Sequence, residues 1–271
     1  MKKLFIYLLI IFFTFSGFAK TKVVTSIFPI ADIVSNIVKD KAEVNFVIPV
    51  NANPHTFEPT PTQAKTIAEA DIFIGVSKQF DGWMEKFLKK GAKKYYLLNK
   101  PANPHIWLSF RKGIEIVSTV RLIFMKLDKK NLHFYDNNAR EYMKQINEVY
   151  KVYLDKFSKL KSKNIIQYHP AWEYLAIDLK LKVIGTIYTG ESKRVSIQHL
   201  TNILNRAKKM GCDALVCSFK TKDKVIDIYE KELNIKRVEL DPIGNPESKD
   251  KNSYLNILIY NCENIYQALS Q

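Results

Sequence analysis

Three of the five histidines in this chain lie next to a proline. His55 and His105 each follow an Asn-Pro pair, and His169 precedes a proline. A neighbouring proline restricts the backbone and helps to fix the direction of the histidine side chain, and neutral imidazole is the commonest metal ligand in proteins. The three residues are therefore candidate metal ligands. His133 and His199 have no such neighbour, and we interpret them as surface residues.

The strands that must position these histidines alternate with helices along the chain. Strands are predicted over residues 23–28, 44–49, 72–76 and 95–98, and again over residues 165–168, 182–187, 214–219 and 237–240. Helices are predicted over residues 30–38, 62–70, 80–89, 171–179, 197–210, 222–233 and 254–269. This alternation indicates βαβ units on parallel sheets. The predicted fold class is therefore α/β, with two lobes that each contain a four-stranded parallel sheet and flanking helices.

The candidate ligands come from both predicted lobes. Each of the three histidines follows a predicted strand, and Asp241 ends the last strand directly before a proline. Parallel α/β folds bind ligands beyond the carboxyl ends of their strands, so the four residues can meet in the cleft between the lobes. Three imidazoles and one carboxylate suit a divalent transition metal, with tetrahedral zinc as the natural occupant. Four protein ligands leave no position for a catalytic water, which favours metal capture over catalysis.

Glu58 lies three residues after His55 and leaves an alternative open. Its carboxylate could be an exposed group, a hydrogen-bond partner behind an imidazole ligand, or the general base of an exported zinc hydrolase in which Asp241 stays off the metal. The sequence has no H-E-x-x-H, G-x-S-x-G or C-x-x-C motif and no glycine-rich phosphate loop. These absences disfavour the hydrolase and exclude a recognisable nucleotide site.

A long apolar stripe predicts one helix between the two lobes. Its members recur at spacings of four and three residues, which places them on one face of a helix over residues 137–161. They are Ala139, Met143, Ile146, Tyr150, Tyr153, Phe157 and Leu160. We interpret the stripe as a spine against which both lobes pack, with a coiled-coil dimer seam as the alternative. We assign residues 20–130 to an N-terminal lobe, 131–162 to a rigid linking helix and 163–271 to a C-terminal lobe, and expect a stiff molecule.

Residues 1–19 have the order of a secretory signal peptide. Lys2 and Lys3 precede an apolar run over residues 4–15, and Gly17 and Ala19 are the small residues of a cleavage site after Ala19. No cysteine follows the apolar run, so a lipid anchor at the mature N-terminus is not expected. The expected product is a soluble exported protein that begins at residue 20.

The composition is that of a globular protein, with 46% hydrophobic and 25% charged residues. The net charge of +15 invites a nucleic-acid interpretation, but a lysine-rich composition also explains it, and export separates the protein from chromosomal DNA. The three cysteines are an odd number for an oxidising compartment. We expect one disulfide, Cys212–Cys262 rather than Cys217–Cys262, and one buried thiol.

At these motifs the sequence resembles the cluster A-I metal-binding periplasmic receptors that serve zinc and manganese ABC importers. The resemblance covers nearly the whole chain after residue 19. It rests on Phe28-Pro29, Pro54-His55-Thr56-Phe57-Glu58-Pro59-Thr60-Pro61, Asn103-Pro104-His105-Ile106-Trp107, His169-Pro170-Ala171-Trp172-Glu173-Tyr174 and Leu240-Asp241-Pro242.

The resemblance implies two Rossmann-like lobes, a rigid linking helix, and a metal held by His55, His105, His169 and Asp241. A histidine at the third position marks the zinc branch of the family, so Zn²⁺ is expected as the transported ligand, with Mn²⁺ or iron as the alternative. The implied partner is the membrane permease of an ABC importer, and we expect a periplasmic monomer that binds no nucleic acid.

Two features depart from the family pattern. The histidine-rich acidic loop of many zinc receptors is missing before residue 103, and residues 218–221 replace an acidic-Pro-Gln stretch. The first departure removes a possible metal-gathering segment, and the sequence assigns no consequence to the second.

Overall fold

Two parallel sheets of four strands each carry the fold in this computed structural model, which describes residues 20–50, 52–190 and 195–270. The strands are β1 (Thr21–Thr25), β2 (Ala42–Phe46), β3 (Ile72–Ser77), β4 (Lys93–Leu98), β5 (Asn164–Gln167), β6 (Lys182–Thr186), β7 (Ala214–Ser218) and β8 (Arg237–Leu240). Their orders are β2-β1-β3-β4 in the N-terminal lobe and β6-β5-β7-β8 in the C-terminal lobe. The predicted α/β fold with two lobes is therefore confirmed.

Helices flank both sheets and connect them. They are α1 (Phe28–Val38), α2 (Pro61–Glu69), α3 (Lys78–Asp81), α4 (Phe110–Leu127), α5 (Leu132–Ser158), α6 (Glu173–Asp178), α7 (Ile197–Met210), α8 (Lys224–Leu233) and α9 (Tyr254–Leu269). The helix predicted over residues 80–89 is instead the short α3 followed by a 3-10 segment, Gly82–Phe87. None of the predicted helices covers α4, which has 18 residues.

Local sequence signals define where the elements near the cleft begin. Every residue of β3 is buried, which is typical of a central strand covered on both faces. Thr60 caps α2 in a reciprocal capping box with Gln63, and Pro61 occupies the first helical position. Ser109 caps α4 by accepting a hydrogen bond from the backbone NH of Lys112. These caps end the two loops that carry His55 and His105.

The helix between the lobes, α5, begins five residues before the predicted start and ends three residues before the predicted end. Its buried residues are Tyr135, Ala139, Tyr142, Ile146, Tyr153 and Phe157. It packs against α1 and α4 of the N-terminal lobe and against α9 of the C-terminal lobe. Four of the seven stripe residues are buried, and the other three are half-buried against the same core of this chain, which favours the spine interpretation over a dimer seam.

Buried polar contacts also join the two lobes. Asp32 of α1 accepts hydrogen bonds from the backbone NH of Tyr254, 2.9 Å away, and from the hydroxyl of Tyr142. Asp178 of α6 accepts from the hydroxyl of Ser109 at 2.7 Å. Burial raises the pKa of both carboxyl groups. These contacts support the expectation that the lobes move little, which stays a prediction.

Gly113 of α4 allows one of these interlobe contacts. A Cβ at this position would clash with the hydroxyl group of Tyr254, which donates a hydrogen bond to the carbonyl of Ser109 at 2.7 Å. Glycine therefore lets α9 of one lobe approach α4 of the other closely, at the cost of helix propensity.

The expected disulfide is wrong, because Cys212, Cys217 and Cys262 are all free thiols. Cys262 lies in the core between α9 and one face of the C-terminal sheet, with Val216. Cys217 points to the opposite core, against which Cys212 also packs. Successive residues of a strand face opposite sides, so β7 separates Cys262 from the other two cysteines.

The predicted signal peptide over residues 1–19 lies outside the described residues, and its cleavage stays a prediction. Among the helices that the structure describes, none has the length and apolar character needed to cross a bilayer.

Candidate metal centre

The carboxyl ends of both sheets face one cleft, with a volume of ≈ 820 Å³, that residues of both lobes line. His55 lies in the loop between β2 and α2, and His105 in the loop between β4 and α4. His169 follows β5 by two residues, and Asp241 follows β8 directly. All four side chains line the cleft, so the structure brings the predicted site residues to one place.

The three imidazoles form a compact cluster. Their ring centroids are separated by 5.3 Å between His55 and His105, by 5.3 Å between His55 and His169, and by 5.2 Å between His105 and His169. The Nε2 atoms of His55 and His105 are 3.3 Å apart. One potential ligand atom from each ring lies within 4.8 Å of the other two. Three nitrogens at this spacing can occupy three positions around a single metal ion.

The tautomer of His105 follows from its neighbour Asn103. The side-chain oxygen of Asn103 accepts from the backbone NH of His105 at 3.1 Å and lies 2.7 Å from its Nδ1 atom. The amide nitrogen of Asn103 donates to the carbonyl of Pro170 and to the carboxylate of Glu173, so the amide orientation is fixed. Nδ1 of His105 must therefore carry the proton. Nε2 then presents its lone pair to the cluster, as a metal ligand requires.

Burial keeps His105 neutral. The residue is only 4% exposed to solvent. Loss of solvation, and after it the charges of His169 and His55, lowers the pKa of His105 well below its ordinary value. Because a metal binds only the unprotonated imidazole, the fold supplies this ligand in its binding form.

Aromatic rings support the cluster from the N-terminal lobe. Phe80 meets His55 edge to face at a centroid distance of 5.5 Å, and Trp107 lies 5.3 Å from His105. Trp107 is buried and donates from its indole NH to the carbonyl of Pro242 at 2.6 Å. This bond ties the loop of His105 to the loop that follows Asp241, so both lobes position the site together.

Asp241 is engaged by other groups. One of its carboxylate oxygens accepts from the backbone NH groups of Ile243 and Gly244, and the other lies 3.0 Å from the ammonium nitrogen of Lys251. Burial opposes the charge of Lys251, but the hydrogen bond and charge of Asp241 outweigh it and raise the pKa of the lysine. Within the described ranges, the ligand cluster contains the three histidines and not Asp241.

The remaining candidates lie outside the cluster. Glu58 is exposed and does not line the cleft in the part of the chain that the structure describes. His133 is exposed near the start of α5, as predicted. His199 is half-buried rather than superficial, because its Nε2 atom lies 3.0 Å from the carbonyl of Thr186 and so anchors α7 to the end of β6.

The asparagines two residues before His55 and His105 have a positioning role that was not among the predictions. Asn53 and Asn103 each accept a hydrogen bond from the backbone NH of the following histidine, at 3.0 Å and 3.1 Å. Such Asx turns fix a loop locally. The repeated Asn-Pro-His triplet was the signal in the sequence for this role.

We predict that Asn103→Ala lowers metal affinity about tenfold, in the range measured for residues that orient a metal-bound imidazole. The change removes the acceptor that fixes the His105 tautomer. Asn53→Ala is the matched control, since Asn53 contacts only the backbone of its histidine among the bonds described, and it should cost less. Competition with a chelating dye measures both affinities; equal losses in the two variants would contradict the tautomer argument.

Residues 23–268 match the model of a family described as ZnuA, zinc-uptake complex component A, periplasmic. The chain belongs to this family. It is 25% identical over 280 residues to the high-affinity zinc uptake system protein ZnuA of Bacillus subtilis, covering 92% of this chain and 88% of that protein. It is equally 25% identical to the manganese ABC transporter substrate-binding lipoprotein PsaA of Streptococcus mitis, over 93% of this chain and 90% of the relative.

Solved structures share the fold. A Mn-bound periplasmic metal-binding protein from Candidatus Liberibacter asiaticus superposes with a TM-score of 0.82 at 22% identity, covering 92% of this chain and 100% of that one. FpvC of P. aeruginosa in complex with Ni²⁺ gives a TM-score of 0.79 at 24% identity, with 93% and 97% coverage.

Family membership sets the general function. The protein is a periplasmic metal-binding receptor of an ABC importer and is not an enzyme. The exported hydrolase that Glu58 left open is therefore wrong.

Proposed function

We propose that this receptor captures Zn²⁺ in the cleft between its lobes and delivers it to the permease of an ABC importer. The observation that supports zinc most strongly is the cluster of three imidazoles, whose potential ligand atoms lie within 4.8 Å of one another. Nitrogen donors suit zinc, whereas manganese prefers carboxylate and carbonyl oxygens and higher coordination numbers. Relatives named for zinc and for manganese are equally similar to this chain, so the donor atoms carry the proposal.

The four proposed ligands are His55, His105, His169 and Asp241. The histidines supply three corners of a tetrahedron, and the carboxylate of Asp241 supplies the fourth once it leaves its present partners. The closed shell holds the ion without a reactive water. Glu58 has no proposed role at the metal, since its side chain is exposed away from the lining of the cleft.

The proposed export of the receptor rests on its N-terminal sequence. Residues 1–19 act as a signal peptide cleaved after Ala19, and the mature receptor is a monomer. Most of the apolar face of α5 packs against the core of its own chain, which supports the monomer because little of that face is left to contact a second copy.

The variant His169→Glu tests the choice of metal. It changes the donor set from three nitrogens and one carboxylate to two of each, which should lower the ratio of zinc affinity to manganese affinity. Competition calorimetry with both ions measures the ratio in the variant and in the wild type. Raw zinc affinity is uninformative alone, because the Irving–Williams order favours zinc over manganese at almost any such site.

The control for this experiment is His133→Glu, which adds the same carboxylate at an exposed position of α5 outside the imidazole cluster. Its ratio should match that of the wild type. If the ratio in His169→Glu also stays unchanged, His169 does not bind the metal and the zinc proposal loses its main support.

A further inference from the structure

An ion pair within the cleft holds the carboxylate that the proposed site needs. The Nζ atom of Lys251 lies 3.0 Å from a carboxylate oxygen of Asp241, and the two side chains are only 16% and 13% exposed. Most salt bridges in the described residues lie on more exposed side chains, such as Lys89 with Asp71. A little-exposed pair resists solvent screening, so its charges interact strongly.

Two aromatic rings hold the ammonium group of Lys251 beside Asp241. Its Nζ atom lies 4.7 Å from the ring centroid of Tyr260 on α9 and 5.5 Å from that of Phe219. Both distances are within the range of cation–π attraction. Phe219 belongs to the segment over residues 218–221 that replaces the acidic-Pro-Gln stretch of the family pattern. The second departure in the sequence therefore has a structural consequence at the site.

The backbone of the loop after β8 fixes the position of Lys251. The carbonyl of Lys251 accepts from the backbone NH of Asn245 at 3.0 Å. Gly244 adopts a φ of +67°, in the left-handed region, and a Cβ there would lie 2.8 Å from the same carbonyl. The loop thus turns back on itself, which places the side chain of Lys251 beside the carboxylate of Asp241 at the start of the loop.

We propose that Lys251 is an internal cation that competes with the metal for Asp241 and so lowers the metal affinity of the receptor. This inference rests on the proposed function, since it takes the metal to be the cargo of the three-histidine cluster. The imidazoles bind the ion first, and Asp241 completes the shell only when the ammonium of Lys251 moves away. The lysine returns to Asp241 when the ion leaves, which favours release to the permease.

The charged residues that line the cleft are consistent with Lys251 as the cation that competes for Asp241. Lys220, Lys222 and Lys251 line it together with Asp241, the one carboxylate among its described lining residues. Lys220 and Lys222 are exposed, and neither has a described ion pair with Asp241. Only Lys251 combines low exposure, an aromatic cage and direct contact with the proposed ligand.

The test is a double-mutant cycle that measures the zinc dissociation constant by competition with a chelating dye. Lys251→Met keeps the length of the side chain and removes its charge, so zinc should bind about tenfold more tightly, which lies in the usual range for two coupled binding events. In an Asp241→Asn background the carboxylate is absent, and Lys251→Met should then change the affinity by less than about twofold. Lys251→Arg retains the charge and should bind zinc like the wild type.

The matched control is Lys222→Met, which removes another cleft lysine that has no described contact with Asp241. It should gain less than Lys251→Met does. Far-ultraviolet circular dichroism and the melting temperature of each metal-free variant establish that it folds.

Either of two results would overturn the inference. One is that Lys251→Met binds zinc no more tightly than the wild type. The other is that its gain is equally large in the Asp241→Asn background, which would show a general effect of charge without competition for Asp241. Neither result affects the proposed function as long as the wild-type protein binds zinc. A wild-type protein that binds no zinc would refute the proposed function itself.

Discussion

Replacing His105 by alanine is expected to lower zinc affinity about a hundredfold. Structural zinc sites with four protein ligands bind with about 10–16 kcal/mol, so one ligand accounts for about 3 kcal/mol, and each 1.4 kcal/mol corresponds to about tenfold in affinity. His105 should show the full effect because it is buried, its tautomer is fixed by Asn103, and its Nε2 atom lies 3.3 Å from that of His55. Calorimetric competition with a chelator of known affinity measures the loss.

His199→Ala is the matched control for this loss. It removes an imidazole of the same kind that binds the carbonyl of Thr186, outside the metal cluster. Its zinc affinity should equal that of the wild type. A His105→Ala protein that folds and keeps wild-type affinity would show that the three-histidine cluster is not the metal site.

Zinc is expected to raise the melting temperature by about 5–10 °C at pH 7 when it exceeds its dissociation constant a hundredfold. A ligand that binds only the folded state adds about 2.7 kcal/mol under these conditions, and a protein of this size gains about 2–4 °C for each kcal/mol. The shift should shrink as the pH falls from 7 to 5, because protons compete for the imidazole ligands and a free histidine titrates near pH ~6.5.

His105 adds a second pH effect, on the protein without metal. Burial lowers the pKa of His105 in the folded state. Below about pH 6.5 this histidine therefore binds a proton in the unfolded chain but not in the folded chain. The metal-free protein therefore keeps this contribution to stability above about pH 6.5 and loses it progressively as the pH falls towards the lowered pKa. The His105→Ala variant should lose less stability over the same interval.

Thermal unfolding with and without zinc at pH 7 and at pH 5 measures both effects. Magnesium at the same concentration is the control, because it binds few nitrogen ligands and should leave the melting temperature unchanged. A zinc shift of the same size at both pH values would contradict histidine ligation.

Much of the fold could be predicted from the pattern of apolar runs. The bounds of β8, α7 and α9 match their predictions residue for residue, and the other strands shift by only a few residues at their ends. The pattern missed α4, although Ser109 and the apolar residues Ile116, Val120 and Ile123 mark a capped helix with one buried face. This unpredicted helix packs against α5.

The end of the sheets at which the histidines lie could be predicted from the parallel topology. Residues that follow parallel strands lie at the same end of a sheet, which places all three histidines at the cleft. β2 and β4 are the two outer strands of their sheet, so the long loops after them, and not the strand order, bring His55 and His105 together. The pairing of Asp241 with Lys251 could not be predicted in this way, because it depends on a tight turn at Gly244 and on the rings of Phe219 and Tyr260. Such contacts arise from side-chain packing that sequence spacing does not encode.

The incorrect disulfide has a similar physical reason. Cysteines in an exported chain suggest a bridge, but the alternation of side chains along β7 points Cys217 into the core opposite that of Cys262. Burial raises the pKa of the Cys217 thiol to about 12 and that of Cys212 to about 11, so these thiols are poorly reactive.

The metal content of the receptor purified from its own periplasm is the most direct test of whether zinc is its cargo. Elemental analysis of the protein, isolated without chelators and without added metal, reports the ion that it selects in competition with all the others present. The account predicts close to one equivalent of zinc for each chain. Manganese or iron in place of zinc, at a similar occupancy, would contradict it.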